Sequence, residues 1–303
     1  MARWPAAVSV VEVGPRDGLQ NESAAIPTAQ KIAFVDRLTA AGHRTIEVSA
    51  FVAPRWVPQM ADAAELFARI GRAPDVRYTA LVPNLAGLER AMAAAVSEIA
   101  IFAAASETFS RKNTNQGIDA SLAIYREVVE HAHRAAIRVR GYLSTAFGCP
   151  FEGDVPPSQV ADVAARLVDL GVFEVAISDT IGVAHPGQVY AVVEAVATRV
   201  PIQQMALHFH DTRGTALANV LAGLDCGVLT FDSSAGGLGG CPYAPGAAGN
   251  LATEDLLYML HGLGIRTGVS LERVAEASEA LEAFLTHPLP SRYLMAERAR
   301  RNP

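Results

Sequence analysis

Short runs rich in β-branched and other apolar residues alternate with longer amphipathic runs along this 303-residue chain, and this alternation limits its fold more than any other feature. The short runs predict eight strands, at residues 9–13, 45–49, 76–81, 98–102, 138–144, 173–178, 204–209 and 228–232. The longer runs predict helices at residues 28–41, 61–70, 85–95, 120–134, 157–170, 186–199 and 215–224. Because no block contains strands alone, the pattern predicts parallel βαβ units, and eight such units predict a closed (β/α)8 TIM barrel.

The stretch after the eighth predicted strand differs from the rest of the chain. Residues 236–242 (GGLGGCP) contain too much glycine for a helix or a strand, and from Thr253 onward two or three helical segments continue to about Arg301. We therefore expect one α/β catalytic domain over residues 1–303, with about 265–303 forming a small C-terminal helical cap. An open doubly wound sheet is the alternative, but the first strand-to-helix turn lacks the GxGxxG of a dinucleotide-binding fold.

Composition argues against several classes of function. Half of the residues are hydrophobic, which allows a large core, and 25 basic against 31 acidic residues give a net charge of −6. That charge argues against a nucleic-acid surface, although a small basic cluster such as residues 134–140 can hold an anionic cofactor tail. No apolar stretch approaches the ~18–20 residues of a membrane-spanning helix. Cys149, Cys226 and Cys241 share no CxxC spacing, which argues against a disulfide framework and favours a reducing, cytoplasmic location.

Two histidines close the seventh predicted strand. In the run LHFHD, His208 and His210 point to one face of the strand, whereas Leu207 and Phe209 point to the other. If this strand belongs to a parallel barrel, its C-terminal end opens at the face where active sites lie. Two imidazoles at that position supply half of a divalent-metal site, so the pair predicts chemistry on a bound metal.

Further polar side chains follow the other strands and would collect at the same mouth of the barrel. They are Arg16 and Asp17 after the first strand, Glu47 near the end of the second, Asp179 after the sixth, and Cys241 and Asn250 after the eighth. Two imidazoles, a carboxylate and an amide oxygen make a mixed site with room for about two more ligands, which suits Mg²⁺ or Mn²⁺ better than tetrahedral zinc. Simpler interpretations stay open at this point, with Asp17 and Asn250 as turn or cap residues and Cys241 as an inert small residue.

Five segments around these residues resemble the 3-hydroxy-3-methylglutaryl-CoA lyase family. They are residues 11–22, 51–60, 178–183, 208–212 and 237–255, which span essentially the whole chain in order, and the last is highly specific. The resemblance implies a metal-dependent (β/α)8 enzyme that cleaves an acyl-CoA substrate, 3-hydroxy-3-methylglutaryl-CoA, to acetyl-CoA and acetoacetate. It also implies a homodimer and a setting in leucine degradation, with a terpenoid or related branched-acyl route as the alternative.

The same resemblance implies roles for individual residues. Four would bind Mg²⁺ or Mn²⁺: Asp17, His208, His210 and Asn250. Arg16 would lie beside the thioester oxygen and stabilise an enolate there, and Cys241 would act as the acid/base on a mobile loop. Glu47 and Asp179 would be polar neighbours of the site. For removal of the proton from the substrate hydroxyl we expect His208, with Glu47 or a metal-bound water as alternatives.

Four positions depart from the family's usual pattern. Ser, Lys, Cys and Tyr are usual where this chain has Ala50, Arg55, Phe209 and Arg213. The metal and loop residues match, so we expect the reaction type to hold. The acyl group is left open, because an altered rim could accept a larger 3-hydroxy-3-alkylglutaryl-CoA.

Three other functions remain as alternatives. A Claisen-condensing acyl-CoA synthase shares the Arg-Asp and His-x-His pattern, but it lacks the Gly-Gly-Cys-Pro loop. A hydrolase of the amidohydrolase kind carries its His-x-His on the first strand, and here the pair is on the seventh. A non-catalytic metal-binding barrel should have lost a ligand or the loop cysteine, and the sequence retains all of them.

Overall fold

In the computed structural model, which describes residues 4–240 and 249–301, eight parallel strands form a closed barrel in chain order. The strands are β1 (Ser9–Glu12), β2 (Thr45–Ala50), β3 (Arg77–Leu81), β4 (Glu98–Ala104), β5 (Arg138–Ser144), β6 (Val175–Asp179), β7 (Met205–Phe209) and β8 (Thr230–Ser233). The sheet closes where β1 pairs with β8, from Ser9 opposite Thr230 to Glu12 opposite Ser233. The (β/α)8 barrel predicted from the sequence is confirmed, and every strand lies close to its predicted position.

The helices follow the strands and include one that the sequence pattern does not predict. They are α1 (Thr28–Ala40), α2 (Ala63–Arg69), α3 (Leu85–Ala93), α4 (Glu107–Thr114), α5 (Ile118–Arg134), α6 (Pro157–Asp169), α7 (Pro186–Ala197), α8 (Ala216–Asp225), α9 (Thr253–Gly262), α10 (Leu271–Glu282) and α11 (Arg292–Arg301). The unpredicted helix is α4, which is short and mostly polar and buries Phe109 and Ser110. Local caps define it instead, because Ser106 Oγ accepts the N–H of Phe109 at 3.2 Å and Asn115 ends the helix in the left-handed region.

Along β7, side chains alternate between the layer of helices and the barrel interior. Leu207 is fully buried beneath α8, where a Cβ at Gly223 would lie 2.4 Å from Leu207 Cδ1, so glycine lets the helix approach the strand. Phe209 packs against Phe147 with ring centroids 5.7 Å apart. His208 and His210 occupy the alternate positions and project toward the barrel mouth.

The chain leaves β1 through a single π-helical turn, Gly14–Gly18. The backbone N–H groups of Asp17 and Gly18 both bond the carbonyl oxygen of Val13, at 2.7 and 3.3 Å. At Gly14 a Cβ would lie 2.6 Å from Glu12 Oε1, so only glycine fits beside that carboxyl. The turn places Asp17 directly at the C-terminal end of β1, and π-turns of this kind occur often at functional sites.

Buried Glu12 joins this turn to the segment that follows β8. Its Oε1 accepts the backbone N–H groups of Gly14 at 2.7 Å and Ala235 at 2.9 Å, and its Oε2 accepts the hydroxyl of Thr253 at 2.7 Å. Burial raises the pKa of the Glu12 carboxyl to about 8, against the hydrogen bonds that lower it. His43, also buried, lies with its Nε2 3.6 Å from Glu12 Oε2. A carboxyl that is largely protonated at neutral pH therefore holds both segments.

The three helices after β8 pack onto the barrel and onto each other. On α9, Asp255 Oδ1 accepts the backbone N–H of Tyr293 at 2.8 Å and the hydroxyl of Ser291 at 2.9 Å, and its Oδ2 accepts the N–H of Arg292 at 3.1 Å. These bonds fix the start of α11, and Leu294 is fully buried beneath it. Across residues 4–240 and 249–301, no helix combines the length and the apolarity that crossing a membrane requires.

The raised pKa of Glu12 predicts that stability falls with rising pH. The folded protein keeps a proton on Glu12 up to about pH 8, whereas the unfolded chain releases it near 4.5. The contribution of protonated Glu12 to the free energy of unfolding is therefore fully present below pH 4.5. It is lost as the pH rises from 4.5 to about 8, at up to about 1.4 kcal/mol per pH unit. Glu12→Gln stays neutral, so its thermal midpoint should fall less than that of the wild type between pH 5 and 8.

Exposed Glu276 on α10 offers the matched control, because Glu276→Gln removes a carboxyl that is not buried. Its pH profile should follow that of the wild type. Parallel curves for Glu12→Gln and the wild type would contradict a buried, protonated Glu12.

Candidate active site

The end of β7 and the turn after β1 bring three ligand groups together. His208 and His210, both buried, have ring centroids 5.3 Å apart. The Nε2 atoms of the two imidazoles lie 3.7 and 3.9 Å from Asp17 Oδ2. One ligand atom from each of the three residues falls within 4.8 Å of the others, which is a spacing that one metal ion can bridge.

The protonation states of this cluster suit metal binding. Burial opposes ionisation of Asp17, but the charge of Arg16, the two histidines and a hydrogen bond from Asn250 outweigh it and lower the pKa of the carboxyl to about 2. Burial and the neighbouring His208 lower the pKa of His210 to about 4. Asp17 is therefore an anion and His210 a neutral imidazole near pH 7, which are the forms that coordinate a cation.

Asn250 reaches the same place along the backbone. It forms an isolated antiparallel bridge with His210, and flanking bonds run from Asp211 N–H to the Gly249 oxygen at 3.1 Å and from Leu251 N–H to the Phe209 oxygen at 2.9 Å. Its side-chain Nδ2 donates to the oxygen of Leu238 at 3.0 Å. Its Oδ1 is buried and accepts no hydrogen bond from the residues that the structure describes. A buried oxygen without a donor, beside a carboxylate and two imidazoles, fits the oxygen-rich coordination of Mg²⁺ or Mn²⁺.

Arg16 and Glu47 form an ion pair next to the cluster. Arg16 Nε donates to Glu47 Oε2 at 2.6 Å, and Arg16 Nη1 donates to Asp17 Oδ1 at 2.8 Å. Glu47 Oε2 also accepts the hydroxyl of Tyr142 at 3.1 Å, whereas its Oε1 is buried and has no partner among the described residues. Burial raises the pKa of Glu47, partly offset by the charge of Arg16. The pair thus presents a fixed guanidinium and one free carboxylate oxygen.

Two charged residues that the sequence interpretation did not single out complete the interior. Arg140 on β5 donates from Nη1 and Nη2 to both oxygens of Asp232 on β8, at 3.0 and 2.8 Å. Asp232 Oδ2 lies 3.3 Å from His208 Nδ1. Burial opposes ionisation of Asp232, but Arg140 outweighs it and lowers the pKa of the carboxyl. The sequence did carry one signal for this pair. Strands of a parallel barrel are buried on both faces, and β5 and β8 each contain one of these charged residues.

The remaining predicted residues lie at the rim or outside the described structure. Asp179, at the end of β6, accepts the backbone N–H groups of Val183 and Ala184, each at 2.9 Å, and so shapes the loop before α7. Arg213 Nη1 donates to the oxygens of Ile181 and Gly182 at 3.1 and 2.8 Å, which joins that loop to the one after β7. Cys241 lies outside the described residues, so its position stays a prediction.

Comparison with known proteins finds relatives that match nearly the whole chain. Residues 7–281 match the family model described as HMGL-like. The chain is 53% identical over 281 residues to a 3-hydroxy-3-isohexenylglutaryl-CoA/hydroxy-methylglutaryl-CoA lyase of Pseudomonas aeruginosa, covering 93% of this chain and 94% of the relative. It is 49% identical over 296 residues to a mitochondrial hydroxymethylglutaryl-CoA lyase of Rattus norvegicus, covering 98% and 91%. A crystal structure of hydroxymethylglutaryl-CoA lyase from Pseudomonas aeruginosa matches with a TM-score of 0.96 at 52% identity, covering 98% of this chain and 99% of that one.

The ligand cluster predicts that Mn²⁺ or Mg²⁺ stabilises the folded protein. At a metal concentration about 100 times the Kd, binding adds about 2.7 kcal/mol to the free energy of unfolding, which should raise the thermal midpoint by several degrees. His210→Gln and Asn250→Ala should each remove most of this shift, because each removes a ligand. Differential scanning calorimetry with and without the metal measures it.

His261→Gln is the matched control, since His261 is exposed and its side chain bonds Thr267 in the α9–α10 loop. This variant should keep the whole shift. An undiminished shift in both ligand variants would place the metal elsewhere.

Proposed function

The chain belongs to the HMGL-like family, and from this premise we propose that it is a carbon–carbon lyase that cleaves 3-hydroxy-3-methylglutaryl-CoA to acetyl-CoA and acetoacetate. Relatives about half identical over nearly the full chain carry that activity in their names. The observation that carries the proposal is the cluster of half-buried Asp17 with buried His208 and His210, beside the Arg16–Glu47 pair. A metal site next to a fixed guanidinium is what cleavage of a tertiary alcohol to an enolate requires.

We propose that Mg²⁺ or Mn²⁺ is held by Asp17, His208, His210 and Asn250. The anionic carboxylate of Asp17, the neutral imidazole of His210 and the unpartnered Oδ1 of Asn250 support this assignment. A divalent cation bound there would supply Lewis acidity, holding the substrate hydroxyl and lowering its pKa.

Arg16 would stabilise the charge that develops on the thioester oxygen. Glu47 and Asp17 engage its Nε and Nη1, and these two bonds set the plane of the guanidinium at the barrel mouth. When the carbon–carbon bond breaks, its electron pair passes to the acetyl thioester as an enolate, and the carbon bearing the hydroxyl becomes the ketone of acetoacetate. Losing a preorganised donor of this kind costs ~10²–10³ in rate, and we expect at least that for Arg16.

Two roles expected for His208 compete for one nitrogen. His208 Nε2 faces Asp17, where the metal would bind, and its Nδ1 faces Asp232, so His208 would have no nitrogen left to accept the hydroxyl proton. Glu47 Oε1, in contrast, is an acceptor without a partner among the described residues, and burial raises the pKa of this carboxyl, which makes it a stronger base. We therefore propose Glu47 as the base in place of His208.

The final proton would come from Cys241. The enolate carbon must be protonated to give acetyl-CoA, and a thiol with an ordinary pKa of about 8.5 can supply that proton. Asp179 would support the site indirectly, by fixing the loop before α7, because both of its oxygens accept backbone N–H groups of that loop.

Four further expectations accompany this function. We propose a cytoplasmic location from the cysteine usage, and Cys149 and Cys226 are both free thiols in the described structure. A role in leucine degradation and a homodimer are proposed from the family resemblance. We also propose that residues 1–303 act as one catalytic unit, which the bonds from Asp255 to the start of α11 support.

Acetyl-CoA release from 3-hydroxy-3-methylglutaryl-CoA tests the function. We expect turnover with Mg²⁺ or Mn²⁺, its loss in EDTA, and a decrease of about 10²-fold or more in Cys241→Ala, because proton transfer contributes ~10²–10⁴. Cys226→Ala, which removes a thiol at the end of α8, is the matched control and should keep full activity.

Two negative results are informative. A folded, metal-binding protein without turnover would point to a larger acyl group, and the relative named for the isohexenyl substrate makes longer 3-alkyl analogues the next test. A protein that neither binds metal nor turns over the substrate would contradict the lyase and favour a non-catalytic barrel.

The choice of base is tested separately by Glu47→Gln and His208→Gln. Glu47→Gln should lower kcat by ~10²–10⁴ while the affinity for Mn²⁺ stays within a few fold, since Glu47 is not a ligand. His208→Gln should weaken Mn²⁺ binding itself. A Glu47→Gln enzyme with nearly normal kcat at saturating metal and substrate would show that another group removes the hydroxyl proton.

A further inference from the structure

We propose that Asp232 is a positioning residue for the metal centre. Held by Arg140, it keeps the proton of the His208 imidazole on Nδ1, so that Nε2 presents its lone pair to the metal. The inference rests on the proposed function only in that it takes His208 to be a metal ligand.

The contact follows from the register of two neighbouring strands. His208 on β7 stands opposite Asp232 on β8, so both side chains project to the same side of the sheet. Asp232 Oδ2 lies 3.3 Å from His208 Nδ1, and both residues are buried. An ionised carboxylate can only accept, so the shared proton must sit on Nδ1. The other nitrogen, Nε2, is then unprotonated, and it is the atom that faces Asp17.

Arg140 holds the Asp232 carboxylate in place. It binds both oxygens of Asp232 through two parallel N–H bonds, a geometry that fixes the carboxylate plane as well as its charge. Arg140 is itself oriented on its other side by Glu174, whose Oε1 accepts Nε at 2.8 Å.

Tyr142 limits the movement of the same imidazole. Its ring meets the His208 ring edge-on, with centroids 6.2 Å apart and an interplanar angle of 80°. Its hydroxyl accepts Arg140 Nη1 at 3.2 Å and donates to Glu47 Oε2 at 3.1 Å. His208 is thus held at Nδ1 by Asp232 and along its edge by Tyr142. The pattern matches the general arrangement in which a carboxylate orients a metal-bound histidine.

Binding of Mn²⁺ without substrate tests this role in Asp232→Asn. The asparagine can turn its amide toward Nδ1 and favour the Nε2–H tautomer, so we expect affinity to fall by about 10- to 100-fold. Electron paramagnetic resonance of free Mn²⁺ measures it. Asp162→Asn is the matched control, because it removes a carboxylate that bonds Arg199 on the exposed surface of α6. Its affinity should stay within about twofold of the wild type.

A double-mutant cycle separates positioning from a general effect of lost charge. If Asp232 acts through His208, Asp232→Asn should weaken Mn²⁺ binding in the wild type but not in the His208→Gln background. Equal loss in both backgrounds would overturn the inference. So would unchanged affinity in folded Asp232→Asn.

The imidazole tautomer gives a second test that needs no variant of Asp232 to fold. In the metal-free wild type, ¹⁵N shifts of His208, assigned by their loss in His208→Gln, should show protonated Nδ1 and bare Nε2. The reverse tautomer would overturn the inference. If the wild type binds no Mn²⁺, the proposed metal centre fails, whereas the tautomer still decides the role of Asp232.

Discussion

Closure of the sheet between β1 and β8 is the constraint on which the rest of the molecule depends. It brings Glu12 within hydrogen-bond distance of Ala235, 223 residues away, and it lets Asp17 after β1 and Asn250 after β8 flank the histidines of β7. Parallel strands end on one side of a barrel, so every polar residue that follows a strand reaches the same mouth. The ligand cluster is therefore a direct consequence of the topology, and a sheet that failed to close would separate the ligands.

The closed barrel must bury charge, and the cations decide which carboxyls stay ionised. Asp17 beside Arg16 and Asp232 beside Arg140 both have lowered pKa values, despite burial that acts in the opposite direction. Glu12 and Glu254 receive hydrogen bonds from backbone and hydroxyl groups alone, and burial raises their pKa values to about 8 and 7. Buried charges are tolerated where they are paired, as Asp17 is with Arg16 and Asp232 is with Arg140. The same interior thus holds the ionised carboxylates of Asp17 and Asp232 together with carboxyls whose pKa burial raises.

Glycine lets three backbone segments meet beside that site. A Cβ at Gly249 would lie 2.2 Å from the oxygen of Gly237, and one at Gly239 would lie 2.6 Å from Asn250 Nδ2 and 3.4 Å from the oxygen of Asp17. Any larger residue would force these segments apart and move two proposed ligands with them. The glycine content of residues 236–240, which marks a loop in the sequence, is therefore also a packing requirement of the folded site.

The sequence alone determined the elements, their order and the residue types of the proposed site. Alternating apolar periodicity is a local property, so the eight βα units could be predicted. The His-x-His spacing and the specific segments around it indicated the family and suggested the proposed ligands. The sequence did not reveal α4, a short helix with few apolar residues, or the roles of Arg140 and Asp232. Those two residues are 92 positions apart, and their contact exists only because closure and strand register place them face to face. A charged residue in a strand shows that a partner must exist, since unpaired buried charge is costly, but only the tertiary structure decided which residue that partner is.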